Sequence, residues 1–132
     1  MELKELYDNR FSNEDRKRNA IWQVLCASFF QKFIPESHAV LDIAAGRCEF
    51  INNIKASEKY AFDLNPSVTD FAAQDVCAVN AGCFSLKERL DGKQIDTVFI
   101  SNFLEHLETK DEVVKILYIC SEILSENGQI II

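Results

Sequence analysis

Basic tracts, long apolar runs, paired cysteines and phosphate-loop motifs are all missing from this sequence, and each absence removes a class of function. The chain has 14 Lys and Arg against 21 Asp and Glu, a formal net charge of −7. With no basic run and no basic residues interleaved with aromatics, a nucleic-acid partner is not expected. The one basic cluster, Arg16-Lys17-Arg18, stands among acids and reads as a solvated helix face. No apolar run approaches the roughly 20 residues that span a bilayer, so no membrane partner is expected. Met1 is followed by a charged segment rather than the apolar stretch of a secretion signal. The five cysteines, Cys26, Cys48, Cys77, Cys83 and Cys120, are odd in number and scattered. None forms a Cys-x-x-Cys pair, so neither a metal site nor a redox pair is expected. Cys26, Cys77 and Cys120 fall in apolar runs and read as buried thiols, which suits a reducing cytoplasm. Neither a Gly-x-Ser-x-Gly elbow nor a Gly-Lys-Ser/Thr loop is present, which argues against hydrolases and nucleotidases. There is no repeat, low-complexity tract or linker.

What is there is a globular sequence of 132 residues, enough for one domain around a single core. Its most informative run is Val40-Leu-Asp-Ile-Ala-Ala-Gly-Arg-Cys-Glu-Phe50. An apolar strand ends at a carboxylate, passes through small residues and opens into a helix. An α/β protein builds a nucleotide site this way: the turn lets the backbone approach the ligand, and the helix N-terminus points free N–H groups at it. A second carboxylate, Asp63, ends the next apolar run about twenty residues on, where it is placed to accept hydrogen bonds from two ribose hydroxyls.

Residues 1–36 are predicted as an N-terminal helical segment and residues 37–132 as the core. Ser12 or Asn13 would cap a helix carrying Ile21, Leu25 and Phe29 on one inward face, with Trp22 and Phe33 beside them, and Pro35 ends it. Strands are predicted at 39–44, 60–64, 75–81, 95–101 and from 129 onward, and helices at 49–56, 67–73, 84–90 and 110–125, with Asn127-Gly128 capping the last. Strands alternating with helices imply an α/β, Rossmann-like, doubly wound and mainly parallel sheet. The expected order is 3-2-1-4-5, with the ligand near the reversal between strands 1 and 4. His38 lies at the opposite end of the sheet and reads as a surface residue.

Asp42-Ile-Ala-Ala-Gly-Arg-Cys48, together with Asp63, resembles the class I S-adenosylmethionine-dependent methyltransferases, in which the first strand runs into a pattern like Asp-x-Gly-x-Gly-x-Gly. Gly46 keeps the middle glycine, and Ala44 and Cys48 replace the outer two. The resemblance implies S-adenosylmethionine as cofactor. Asp42, Ala44 and Gly46, with the N–H groups of Cys48 and Glu49, would hold its methionine part, Asp63 its ribose, and Leu64 and Asn65 would flank ribose and adenine. Many members have an Asp after the third strand; Gly82 stands there, and Cys83 would offer a backbone N–H to adenine. Losing that carboxylate removes one hydrogen bond, about 1 kcal/mol.

After the fourth strand, Ser101-Asn-Phe-Leu-Glu-His-Leu107 resembles a Leu-Glu-His segment of many small-molecule methyltransferases. There Asn102 would lie near the methionine ammonium and Phe103 would wall the pocket. His106 would act as general base on a substrate hydroxyl, since an imidazole ordinarily titrates near neutrality, and Glu105 would orient it. The alternative is that Glu105 and His106 cap or pack the next helix. Arg10, Phe11 and Trp22 would form a lid or simply pack the helix on the sheet. The family continues through two further strands, an antiparallel hairpin at the sheet edge. Their absence reads as a truncated chain, or as a minimal fold whose open edge a partner or second copy covers. The Asn9-Arg-Phe and Cys48-Glu-Phe-Ile-Asn-Asn53 stretches look like a bacterial subgroup associated with sugar and polysaccharide biosynthesis, implying a small hydroxylated acceptor. The other readings are a non-catalytic cofactor-binding or assembly domain and a protein methyltransferase.

Overall fold

In the computed structural model, which describes residues 12–132, the apolar runs form β1 (Ala39–Ile43), β2 (Glu58–Asp63), β3 (Val76–Asn80), β4 (Ile95–Ile100) and β5 (Leu124–Ile131). They make one sheet in the predicted order β3-β2-β1-β4-β5, with every neighbouring pair parallel. The central strand β1 is buried at all five residues. A parallel strand covered on both faces reads as one apolar run, and β1 does so except at Asp42. Arg10 and Phe11 lie outside the described residues.

Among the described residues five helices cover the sheet: α1 (Asn13–Ser28), α2 (Glu49–Asn53), α3 (Val68–Phe71), α4 (Leu86–Leu90) and α5 (Lys110–Ile123). Alternate strand residues face opposite ways. Leu41, Ile43, Phe62, Val98 and Ile100 therefore pack with Leu86 of α4 and Ile116 and Cys120 of α5. Val40, Ala61 and Phe99 pack on the other face with Cys26 of α1, Phe50 and Ile51 of α2 and Val68 of α3. No helix among the described residues is long and apolar enough to cross a membrane.

Several sequence expectations are corrected. The N-terminal helix does form, capped by Ser12, whose hydroxyl accepts the Asp15 N–H while Asp15 accepts the Ser12 N–H, a capping box. Its apolar face, however, points outward: Ile21, Leu25, Phe29 and Phe33 are 59%, 37%, 51% and 53% exposed. The inward strip is Asp15, Asn19, Trp22 and Cys26. The last helix stops at Ile123, and the chain passes straight into β5 without using Asn127-Gly128 as a cap. The competing partners are strand groups: Leu124 pairs with Ile95, and the Ser125 hydroxyl donates to Asp96 Oδ1 at 2.7 Å. Cys77 is exposed: it lies on β3, the outer strand of the sheet, beside Tyr60. His38 is half-buried, with Nδ1 2.9 Å from the Thr97 hydroxyl.

Candidate functional site

The turn from β1 into α2 sits at the C-terminal end of the central strand, beside the reversal of strand order. Ala44, Gly46 and Cys48 all have positive φ, at 58°, 56° and 61°. Gly46 is suited to this by conformation alone, since a Cβ there would meet nothing within 4 Å. A residue with a side chain is penalised in that region by about 1–2 kcal/mol, so Ala44 and Cys48 need restraint from outside. The Ala45 N–H donates to Phe62 O at 3.0 Å and the Gly46 N–H to Asp63 Oδ2 at 2.7 Å. The Cys48 N–H is taken by Ala45 O at 2.8 Å, so it is not free to face a ligand as the sequence suggested. Between them, Arg47 forms an ion pair with Asp15 of α1 and lies 5.6 Å over the Phe71 ring.

On one side of this turn is a polar cavity of about 170 Å³, lined among others by Arg18, Trp22, Asp42, Glu49 and Asn102. Burial, then the charges of Asp63 and Glu49, push the Asp42 carboxyl well above the usual carboxylate range, and a backbone hydrogen bond from Ile51 opposes them. Arg18 reaches across from α1: its Nε is 3.2 Å from Glu49 Oε1 and its NH2 is 3.3 Å from Oε2. Only the second contact is aligned as a hydrogen bond, which leaves buried Glu49 Oε1 without a hydrogen-bond partner among the described residues. Trp22 packs against Phe30, Phe50 and Phe99, so it both seats α1 and walls the cavity.

On the other side is an apolar cavity of about 440 Å³, lined by Ile43, Phe62, Leu64, Cys83, Phe103 and His106 among others. Ala44 belongs to both cavities, so the turn is their shared wall. Asp63 stands at the rim, where Oδ1 accepts the Asn65 N–H at 2.8 Å and Oδ2 the Gly46 N–H. The Asn80 amide fixes the backbone behind it, donating to Asp63 O at 3.0 Å and Leu64 O at 2.8 Å. Burial raises the pKa of the Cys83 thiol.

The structure thus brings Asp42, Ala44, Gly46 and Asn102 to the polar cavity, and Ala44, Asp63, Leu64, Cys83, Phe103 and His106 to the apolar one. Asn102 has φ of 51°, so the β4 rim is bent as sharply as the turn facing it. Glu105 lines neither cavity; its Oε1 is 4.0 Å from His106 Nε2, and both side chains are largely exposed. Among the described residues no group of His, Cys, Asp and Glu is arranged to hold a metal ion. The sequence reading missed Arg18, Arg47 and the side chain of Glu49, of which it used only the N–H, as site residues. No local pattern marks Arg18, because its partner lies 31 residues away; it had been assigned to a solvated face.

Neither protein-family models nor curated proteins match the chain. Solved structures do. An S-adenosylmethionine-dependent methyltransferase from Archaeoglobus fulgidus aligns with a TM-score of 0.64 at 24% identity, over 98% of this chain and 57% of its own. DesVI of Streptomyces venezuelae gives 0.69 at 15% identity, over 98% and 56%. CalS10, an amino pentose methyltransferase from Micromonospora echinaspora solved with S-adenosylmethionine bound, gives 0.65 at 14% identity, over 98% and 55%. The chain spans a little over half the length of these relatives. On these likenesses, and with a parallel sheet of order β3-β2-β1-β4-β5, the chain has the class I fold of the S-adenosylmethionine-dependent methyltransferases.

Proposed function

We propose that this chain is the cofactor-binding part of an S-adenosylmethionine-dependent methyltransferase acting on a small-molecule acceptor. The observation that carries this reading is the bent Ala44–Cys48 turn, with a polar cavity on one side, an apolar cavity on the other, and Asp63 at the rim of the apolar one. The residues fit the cofactor. Burial first, and then the charges of Asp63 and Glu49, hold Asp42 toward its neutral form. A ligand carrying positive charge relieves that, because an opposite charge nearby restores the ionised carboxylate.

Asp42 and Asn102 would hold the ammonium end, and Arg18, turning from Glu49, the carboxylate. Leu64, Cys83 and Phe103 would enclose the adenine ring, with the remaining lone pairs of Asp63 open to the ribose hydroxyls. Bound there, the cofactor supplies an electrophilic methyl group on sulfur. The chain's own work is to orient the acceptor, exclude water and manage one proton, with positioning supplying most of the rate. His106 at the rim would take that proton from an acceptor hydroxyl, and Glu105 would steer the imidazole. A small hydroxylated acceptor such as a sugar agrees with the amino pentose substrate named for CalS10. The second reading is a non-catalytic cofactor-binding or assembly domain, motivated by the replaced turn glycines at Ala44 and Cys48.

Calorimetric titration with S-adenosylmethionine and S-adenosylhomocysteine, beside an Asp63→Ala variant, tests the cofactor. Micromolar binding that the variant loses is the expected result; a folded chain that binds neither ligand overturns the proposal. Incubation with methyl-labelled cofactor and a panel of hydroxylated and amino sugars then separates the two readings. Label transfer supports the enzyme, and binding without transfer to any acceptor supports the domain.

A further inference from the structure

We infer that Asp15 is a positioning residue for the cofactor turn. Through Arg47 it holds Ala44–Cys48 in the ligand-ready bend that outer glycines would otherwise adopt unaided. The inference rests on the cofactor reading above and deepens it.

The first observation is the strain. Three residues of the turn have positive φ, and only one is glycine. A turn of this kind, left to itself, spends part of its time in other shapes, and every such excursion lowers the apparent affinity of the site in proportion.

The second is the geometry of the restraint. Arg47 lies between Gly46 and Cys48, the second and third bent residues. Its guanidinium is gripped by Asp15 Oδ1 on α1 and rests on the Phe71 ring of α3, so the middle of the turn is clamped from two helices. Asp15 is only 6% exposed. Its other oxygen, Oδ2, accepts both the N–H and the hydroxyl of Ser12 at 2.9 Å. One carboxylate therefore caps α1 with one oxygen and holds Arg47 with the other.

The third is the orientation of α1. Its inward strip meets the turn and α2 through polar ties: Asp15 to Arg47, Arg18 to Glu49, and Asn19, whose Oδ1 accepts from Asn53 Nδ2 at 2.8 Å. The helix presents this strip inward while its own aliphatic side chains Ile21, Val24 and Leu25 face out. Fastening to the turn, together with Trp22 and Cys26 seated in the core, accounts for how α1 is rotated.

The test compares three variants of the full chain. Asp15→Asn keeps an acceptor for the cap but removes the charge that holds Arg47. Ser12→Ala removes the hydroxyl of the cap and leaves both the Ser12 N–H on Asp15 Oδ2 and the ion pair. Ala44→Gly relieves one strained residue and is placed in the Asp15→Asn background. S-adenosylhomocysteine affinity is expected to fall roughly tenfold in Asp15→Asn, to stay near the unaltered chain in Ser12→Ala, and to recover when Ala44→Gly is added, since glycine reaches positive φ without penalty. The same chains without ligand are followed by amide exchange, where the Gly46 and Cys48 N–H groups should exchange faster in Asp15→Asn than in Ser12→Ala. Equal affinities in Asp15→Asn and the unaltered chain overturn the inference. So does an equal loss in Ser12→Ala, or a double variant no better than Asp15→Asn. Should the unaltered chain bind no ligand while exchange still follows Asp15, the cofactor reading fails and the clamp on the turn stands. Unchanged exchange removes the clamp itself.

Discussion

Asp63 Oδ2 accepts the Gly46 N–H at 2.7 Å, joining the end of β2 to the turn that leaves β1. Together with the Asn65 N–H on Oδ1, this gives the carboxylate two backbone tasks before any ligand arrives. Asp63 is therefore both scaffold and candidate ribose ligand, and the loop-capping role and the binding role are not alternatives.

An Asp63→Asn substitution separates charge from shape. The amide oxygen keeps one backbone hydrogen bond, and the amide nitrogen faces the other donor. A hydrogen bond to a charged group contributes roughly 1.5–3 kcal/mol, and the partial exposure of this one places it at the lower end. We expect a small drop in thermal midpoint and a loss of S-adenosylhomocysteine affinity of tenfold or more. Unchanged affinity in titration calorimetry would remove Asp63 from the ribose role.

Asp42 makes the opposite prediction for stability. Its folded pKa is raised, first by burial and then by Asp63 and Glu49, so between 3.8 and the folded value the native state holds a proton that the unfolded chain has lost. The stability this group contributes is complete below 3.8 and declines as pH rises through the folded pKa. Asp42→Asn removes that decline. The unliganded variant should melt higher than the parent at neutral pH, with a flatter pH profile, yet bind S-adenosylhomocysteine more weakly because the carboxylate proposed to meet its ammonium is gone. Lower melting temperature together with unchanged binding would place Asp42 in a purely structural network.

The outward apolar face of α1 gives a third test. Ile21 and Val24 are 59% and 63% exposed, so Ile21→Lys or Val24→Lys should change stability by no more than about 0.5 kcal/mol. Trp22 stacks among Phe30, Phe50 and Phe99, and Trp22→Ala should cost on the order of 3 kcal/mol. Denaturant midpoints decide it, and a large loss for either lysine variant would mean that this face is buried after all.

That helix also shows where sequence reading stops. Strand order was legible because buried parallel strands read as apolar runs separated by helical spacing, and Asp42 and Asp63 stood out by interrupting two of those runs at their ends. The same periodicity misassigned α1, since apolar spacing marks a face without saying what the opposite face must hold. Arg18 reads as part of a solvated face; the partners of Asp15, Arg18 and Asn19 are Arg47 in the turn and Glu49 and Asn53 on α2. The end of α5 was misplaced for a related reason: Asn127-Gly128 is a good local stop signal, but Ile95 and Asp96 on β4 offer Leu124 and Ser125 partners earlier. Local signals located the turn, and long-range polar pairs, invisible in a single sequence, complete the site around it.

The cysteines report on the apolar cavity directly. Burial pushes the pKa of Cys26 and Cys120 up to about 11 and that of Cys48 to about 12, so these thiols stay protonated and unreactive at neutral pH. Cys77 is exposed, and Cys83 is partly buried in the cavity wall with its pKa raised by burial. A native chain treated with a small disulfide reagent should therefore modify Cys77 quickly, Cys83 slowly, and the remaining three thiols only on unfolding. Saturating S-adenosylhomocysteine should slow Cys83 severalfold and leave Cys77 untouched, because an adenine ring in that cavity covers the first and is remote from the second. If the ligand binds by calorimetry and Cys83 reacts at its former rate, the adenine lies elsewhere, and the roles of Leu64 and Phe103 as its walls fall with that result.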